Sequence, residues 1–100
     1  MPAITEEIKK EVRSVVYDFF AEECEVSVDE ITDNTNIIKD LEGDSLMYLE
    51  LLEIFKKKYQ LKIELKIIGK YVVKNPVATI GGIIDMTYLI IEHENSIADL

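Results

Sequence analysis

Apolar residues recur at helical spacing in three stretches of this chain, and that pattern limits the possible folds more than any other feature. The stretches lie within residues 5–23, 45–58 and 76–93. Thr5 can cap the first helix, because its hydroxyl can accept a hydrogen bond from an unpaired backbone N–H. Asn75 and Pro76 favour the cap and first position of the last helix. The sequence therefore predicts an all-α fold.

Two segments between these helices are less regular. Residues 25–43 are rich in turn-forming side chains, but apolar residues that can anchor to a core interrupt them, so we predict a long ordered loop. Residues 61–74 fit either a short strand or a short helix. A single strand has no evident partner, so we favour a short helix within an extended segment. The result is a four-helix bundle whose third helix is the shortest.

Length and charge limit the possible functions. One hundred residues, 48% of them apolar, suffice for a single domain with a modest core. The net charge of −9 disfavours nucleic acid and anionic membranes as partners. Residues 1–55 alone carry 15 acidic and 4 basic residues, a net of −11. With no apolar stretch long enough for a membrane span and no leader pattern, we expect a cytoplasmic protein. The sequence gives no sign of an obligate oligomer, so we also expect a monomer.

The strongest chemical signal is the segment Asp40-Leu41-Glu42-Gly43-Asp44-Ser45-Leu46, which ends the loop and opens the second helix. A serine at a helix start lies beside unpaired backbone amides, where a phosphate group is favoured. Two interpretations remain open from these residues alone. Asp44 and Ser45 form either an ordinary helix cap or a site to which an enzyme attaches a phosphate-linked group.

With its context, this segment resembles the prosthetic-group site of the acyl carrier proteins. The resemblance covers about residues 5–92, with the first helix, the long loop, a Leu/Glu-rich helix and a final helix in the family's order. It implies one acyl carrier domain over residues 1–100 that is not itself an enzyme. It also implies that Ser45, between Asp44 and Leu46, accepts 4′-phosphopantetheine from coenzyme A. The terminal thiol of that covalent cofactor would carry acyl groups as thioesters.

The resemblance further implies a cargo space between the second and third helices. The residues that could line it are Leu46, Leu49, Leu52, Ile63, Ile68 and Ile84. The implied partners are a phosphopantetheinyl transferase and acyl-transferring or acyl-modifying enzymes of fatty-acid, lipid or polyketide-type synthesis. Their basic docking patches would meet Asp40, Glu42, Met47, Glu50 and Glu53.

The chain departs from the family pattern at two places near this site. Met47 stands where typical members have an acidic residue, and Lys56–Lys58 replaces carboxylates at the end of the second helix. Lysines there complement the helix dipole and stay solvated. The departures predict a specialised member of the family.

Two other functions remain to be weighed. An acidic helical protein-interaction domain without a prosthetic group would share the fold and the charge. Gly43-Asp44-Ser45-Leu46 also matches the signature of a lipase and esterase family, which would need a histidine base. In that family an aspartate precedes the histidine by three residues, whereas Ile90 precedes His93 here. The sequence thus disfavours the enzyme, and it places no metal ligands in a recognisable pattern.

Overall fold

The computed structural model describes residues 4–41, 45–74 and 76–94, without the side chains of Ser45, Leu46 and Leu65. Within this part, the chain forms five α-helices and one short 3₁₀-helix at Val28–Glu30. The α-helices are α1 (Glu6–Glu23), α2 (Ile37–Leu41), α3 (Ser45–Lys58), α4 (Leu65–Lys74) and α5 (Ile80–His93). The predicted all-α class is confirmed, and the predicted short third helix is α4. The sequence did not predict α2, which lies within the long loop.

Helix α1 packs against α3 and α5. Val12, Val16 and Phe20 recur at four-residue intervals on one face, and each is fully buried. The Thr5 hydroxyl caps the helix by accepting a hydrogen bond from the Ile8 N–H at 3.2 Å. The predicted bounds of this helix are confirmed to within one residue, because its periodic residues form its buried face.

The long loop is fixed to the start of α5 by backbone pairing. Asn36 and Thr79 form an isolated antiparallel bridge, which we call the loop–α5 bridge. Its hydrogen bonds run from the Ile37 N–H to the Ala78 carbonyl, at 2.8 Å, and from the Ile80 N–H to the Thr35 carbonyl, at 3.0 Å. Ile31 and Ile37 of this segment are buried in the core. The prediction of an ordered loop is confirmed for residues 25–41, the described part of this segment.

The predicted start of the last helix is wrong. Residues 76–78 are not helical, and α5 begins at Ile80 instead of Pro76. Thr79 is the actual cap, since its hydroxyl accepts a hydrogen bond from the Gly82 N–H at 3.1 Å. The cause is the loop–α5 bridge, which holds Thr79 in an extended conformation at φ −107° and ψ 158°. Asn75 lies outside the described residues.

The segment before α4 combines both patterns that its sequence suggested. Leu61 and Ile63 alternate with exposed residues and are 5% and 2% exposed, as in a strand, yet they pair with no other strand in the described chain. The helix then starts at Leu65. The preferred prediction, a short helix within an extended segment, is confirmed.

Candidate functional site

Ser45 is the first residue of α3, a helix of 14 residues. The backbone N–H groups of a first helical turn have no partner within the helix, and the helix dipole places partial positive charge there. The backbone at this position therefore suits a phosphate group. Of the other predicted residues, Glu42 and Asp44 lie outside the described residues, as does the side chain of Leu46.

Helix α2 leads into the site and is held by two side chains. The Asn36 Oδ1 atom accepts hydrogen bonds from the N–H groups of Ile38, at 3.0 Å, and Lys39, at 2.9 Å. The Asp40 carboxylate reaches back to accept the Asn36 N–H at 2.8 Å. Asp40 is exposed, as a partner-binding residue must be, but its carboxylate also caps this helix reciprocally.

The outer face of α3 carries two of the predicted acidic residues. Glu50 and Glu53 are exposed and lie three residues apart, so they share one side of the helix. Ile54 beside them is 41% exposed, which the sequence analysis missed. Met47 is half-buried and packs against the core. This surface combines carboxylates with one exposed apolar side chain.

An apolar cavity of about 230 Å³ lies where α3 meets α4. Tyr48 and Leu49 of α3 line it opposite Gly69 and Val72 of α4. Residues three and four positions apart share a helix face, so Tyr48 and Leu49 lie one turn beyond the Ser45 position, roughly 5–6 Å along the axis. The cavity therefore begins close to the proposed attachment residue.

The rest of the cavity wall comes from other elements. These residues are Phe20, Ile37, Ile38, Val77 and Ile83. Ile38 of α2 is 61% exposed although it lines the cavity, so the cavity opens to solvent beside α2. The described wall of the cavity is therefore apolar, and solvent reaches it beside Ile38.

Among the described residues that line the cavity, Tyr48 is the one with a side-chain hydroxyl, and its environment keeps that group neutral. The hydroxyl donates a hydrogen bond to the Met86 sulfur at 3.2 Å. Burial strongly raises the pKa of Tyr48, because the charged phenolate would lose its hydration. The described residues of the cavity wall thus carry no charged side chain.

Among the predicted cargo-space residues with described side chains, Leu49 lines this cavity. The other four are at most 2% exposed and pack in the core: Leu52, Ile63, Ile68 and Ile84. Gly69 and Val72 were not predicted from the sequence, because residues 61–74 fitted either a strand or a helix. With helix bounds for α4, the lack of a side chain at Gly69 would have indicated a gap.

The described part of the chain contains neither a candidate membrane span nor a candidate metal cluster. None of its helices has both the length and the apolar composition to cross a bilayer. No group of three or more His, Cys, Asp or Glu side chains in that part is arranged to hold a metal ion.

Comparison with known proteins gives two matches. The model of a family described as the phosphopantetheine attachment site matches residues 14–72, a segment that runs from α1 into α4 and includes Ser45. A protein of Clostridium acetobutylicum described as an acyl carrier protein homolog is 54% identical over 100 residues. The alignment covers 100% of this chain and 97% of that relative.

Proposed function

This chain belongs to the acyl carrier proteins, and from that premise we propose that Ser45 bears its 4′-phosphopantetheine group. The protein carries acyl groups on this covalent cofactor and is not itself an enzyme. It interacts with biosynthetic enzymes and with a phosphopantetheinyl transferase. The observation that supports Ser45 is its position as the first residue of α3, one turn before the apolar cavity.

The surroundings of Ser45 fit the two ends of the group. Its phosphate would lie at the N-terminus of α3, where unpaired N–H groups and the helix dipole favour negative charge. An apolar chain carried by the group has the adjacent cavity as a place away from water. When bound, the group supplies a thiol on a flexible arm, which holds the acyl group as a thioester.

Attachment at Ser45 is the transfer of phosphopantetheine from coenzyme A to the serine hydroxyl. The serine hydroxyl oxygen forms a phosphodiester bond with the phosphopantetheine phosphate of coenzyme A. The bond to the adenosine bisphosphate half of coenzyme A breaks, and that half leaves with the bonding electrons. The serine proton passes to a base of the transferase. The protein's part is to present the hydroxyl and a surface that the transferase can bind.

Helix α2 and the outer face of α3 are the proposed docking surface. It comprises the exposed residues Asp40, Glu50, Glu53 and Ile54, with Glu42, Asp44 and Met47 as predicted additions. Carboxylates around a small apolar contact complement a basic enzyme surface and speed its encounter with the carrier. We propose that the protein acts as a monomer toward such partners.

The test of the attachment site is intact-protein mass spectrometry. The protein is incubated with coenzyme A, magnesium and a broad-specificity phosphopantetheinyl transferase. The wild type and a Ser14→Ala control, which removes an exposed serine of α1, should both gain the mass of phosphopantetheine. Ser45→Ala should gain nothing while keeping the helical circular-dichroism spectrum of the wild type.

Modification of the Ser45→Ala protein would place the group at another residue. No gain in the folded wild type would favour the alternative, an acidic interaction domain without a prosthetic group.

A further inference from the structure

Gly69 lies inside α4 without the steric reasons that require glycine elsewhere. Apart from its own helix backbone and its chain neighbours, a Cβ atom added at Gly69 would meet no described atom within 4 Å, whereas one added at Gly82 would lie 2.5 Å from Val77 Cγ1. No glycine among the described residues has a positive φ, so backbone conformation does not require it either. Glycine is also less favourable than alanine inside a helix. Neither local structure nor packing therefore explains Gly69.

The space beside Gly69 is the cavity next to the attachment site. Gly69 lines it together with Val72 of the same helix, and Leu49 lines it from α3. A side chain at residue 69 would enter this space, because Gly69 lines the cavity and no described atom from outside its own helix backbone and chain neighbours lies within 4 Å of the Cβ position. The missing side chain therefore enlarges the cavity at the wall formed by α4.

We propose that Gly69 sets the length of acyl chain that the cavity can hold, and that the preferred cargo is of medium length. The inference rests on the proposed function, because the cavity serves cargo only if the carrier arm is attached beside it. An apolar cavity of about 150 Å³ can hold benzene, with its six carbon atoms. In proportion, the cavity of about 230 Å³ has room for roughly nine carbon atoms.

A larger side chain at residue 69 should shorten the chain that fits. Leucine adds four carbon atoms, which leaves room for roughly five, and valine adds three, which leaves room for roughly six. A butanoyl chain then still fits in both variants, but an octanoyl chain does not. Because cargo that binds only the folded state stabilises that state, the effect can be measured as a shift of the unfolding temperature.

The experiment compares wild type, Gly69→Val and Gly69→Leu. Each is loaded with butanoyl, octanoyl or tetradecanoyl cargo from the matching acyl-coenzyme A by a broad-specificity phosphopantetheinyl transferase, and loading is verified by intact mass. The measured quantity is the increase in unfolding midpoint over the holo protein without an acyl group. In the wild type, octanoyl should give a larger increase than butanoyl, and tetradecanoyl no larger increase than octanoyl.

In Gly69→Leu, the increase in unfolding midpoint caused by octanoyl cargo should fall to the increase caused by butanoyl cargo. The increase caused by butanoyl cargo should stay as in the wild type. Gly69→Val should show a smaller loss, and it provides the test if the leucine variant does not fold. Without cargo, Gly69→Leu should unfold at a higher temperature than the wild type, because it fills the cavity and removes a helical glycine.

The matched control is Lys70→Leu, which adds the same side chain at the next, exposed position of α4 and should keep both wild-type increases. An octanoyl increase in Gly69→Leu equal to that of the wild type would overturn the role of Gly69. Absence of any mass gain in the wild type would instead overturn attachment at Ser45, and with it this inference.

Discussion

Asp33 joins the loop between α1 and α2 to two helices at once. Its carboxylate accepts hydrogen bonds from the Arg13 guanidinium at 2.9 and 3.2 Å, and from the Tyr17 hydroxyl. Its backbone carbonyl accepts the Gly81 N–H at 2.8 Å. The bonds from Arg13, which have the largest effect, and the bond from Tyr17 favour the charged form of the carboxyl group. The pKa of Asp33 therefore lies below its ordinary value of 3.8.

Asp33 should therefore make stability depend on pH at the acidic end. A carboxyl group with a lowered folded-state pKa stabilises the protein above 3.8, and this contribution is lost as pH falls through the folded-state value. The Asp33 side chain is 46% exposed, so solvent screening limits the loss in Asp33→Asn at neutral pH to about 0.5–1 kcal/mol. Urea unfolding from neutral pH to below 3.8 should show the difference from wild type shrinking toward zero.

Arg13→Gln checks the role of the Asp33 ion pair, because it removes the other partner of that pair. It should reproduce most of the neutral-pH loss. A difference between wild type and Asp33→Asn that stayed constant as the pH fell would mean that ionisation of Asp33 does not stabilise the fold.

At the scale of elements, the sequence predicted the helices whose apolar period coincides with a buried face. Helix α1 is such a case. The start of α5 could not be predicted, because the local signal of Pro76 competes with pairing between Asn36 and Thr79, which are distant in sequence. Helix α2 was missed because its five residues carry too little periodicity.

The same contrast between local signals and contacts of residues distant in sequence applies to the site. The motif around Ser45 left two interpretations open, and the resemblance of its wider context to the acyl carrier proteins made Ser45 the predicted attachment residue. That assignment stays a prediction. The cavity depends on how α3 meets α4, so single-residue patterns could not locate its wall. Leu49 was predicted as an apolar residue of the cargo space that the family resemblance implies, whereas Gly69 was missed because it has no side chain to indicate a contact.

The start of α5 gives a prediction on packing between elements. Gly82→Ala should gain up to about 1 kcal/mol in helix propensity, but the added methyl group would lie 2.5 Å from Val77 Cγ1. Overpacking of this kind typically costs about 1–3 kcal/mol, so we expect a net loss of roughly 0.5–2 kcal/mol in unfolding free energy. Gly69→Ala is the control and should instead be stabilising in urea unfolding. Equal effects at both positions would contradict this account of the two glycines.

Charge is unevenly distributed over the whole molecule, and not all of it is available to partners. The first 55 residues carry the net negative charge, while Lys56–Lys58 lies in the positive second part. Lys58 lies 3.3 Å from the Glu11 carboxylate, which also accepts a 2.6 Å hydrogen bond from the Tyr59 hydroxyl. One lysine of the run therefore connects the end of α3 to α1.

If the outer face of α3 is the docking surface, reversing its charge should weaken partner binding. Glu50→Lys combined with Glu53→Lys should lower the apparent affinity of a phosphopantetheinyl transferase roughly tenfold at low salt. The difference should shrink as salt rises, since the screening length falls to about 8 Å at 0.15 M. Steady-state kinetics of the transfer reaction at several salt concentrations measure this.

The matched control makes the same change in net charge on α1, with Glu22→Lys and Glu23→Lys, both exposed in the wild type. It should lose much less affinity. Equal losses in the two double variants would assign the effect to total charge and would argue against a docking surface on α3.

The loop–α5 bridge gives the chain a closed topology. Because Asn36 pairs with Thr79, α3 and α4 both lie within one segment of chain whose ends are held together. The bridge therefore holds α2 to the start of α5 by bonds that involve neither α3 nor α4. The amide hydrogens of Ile37, Ile80 and Gly81, all bonded across that closure, should exchange with solvent deuterium as one cooperative unit. Their common exchange rate would measure how often the pairing between the loop and α5 opens, separately from how often the cavity opens.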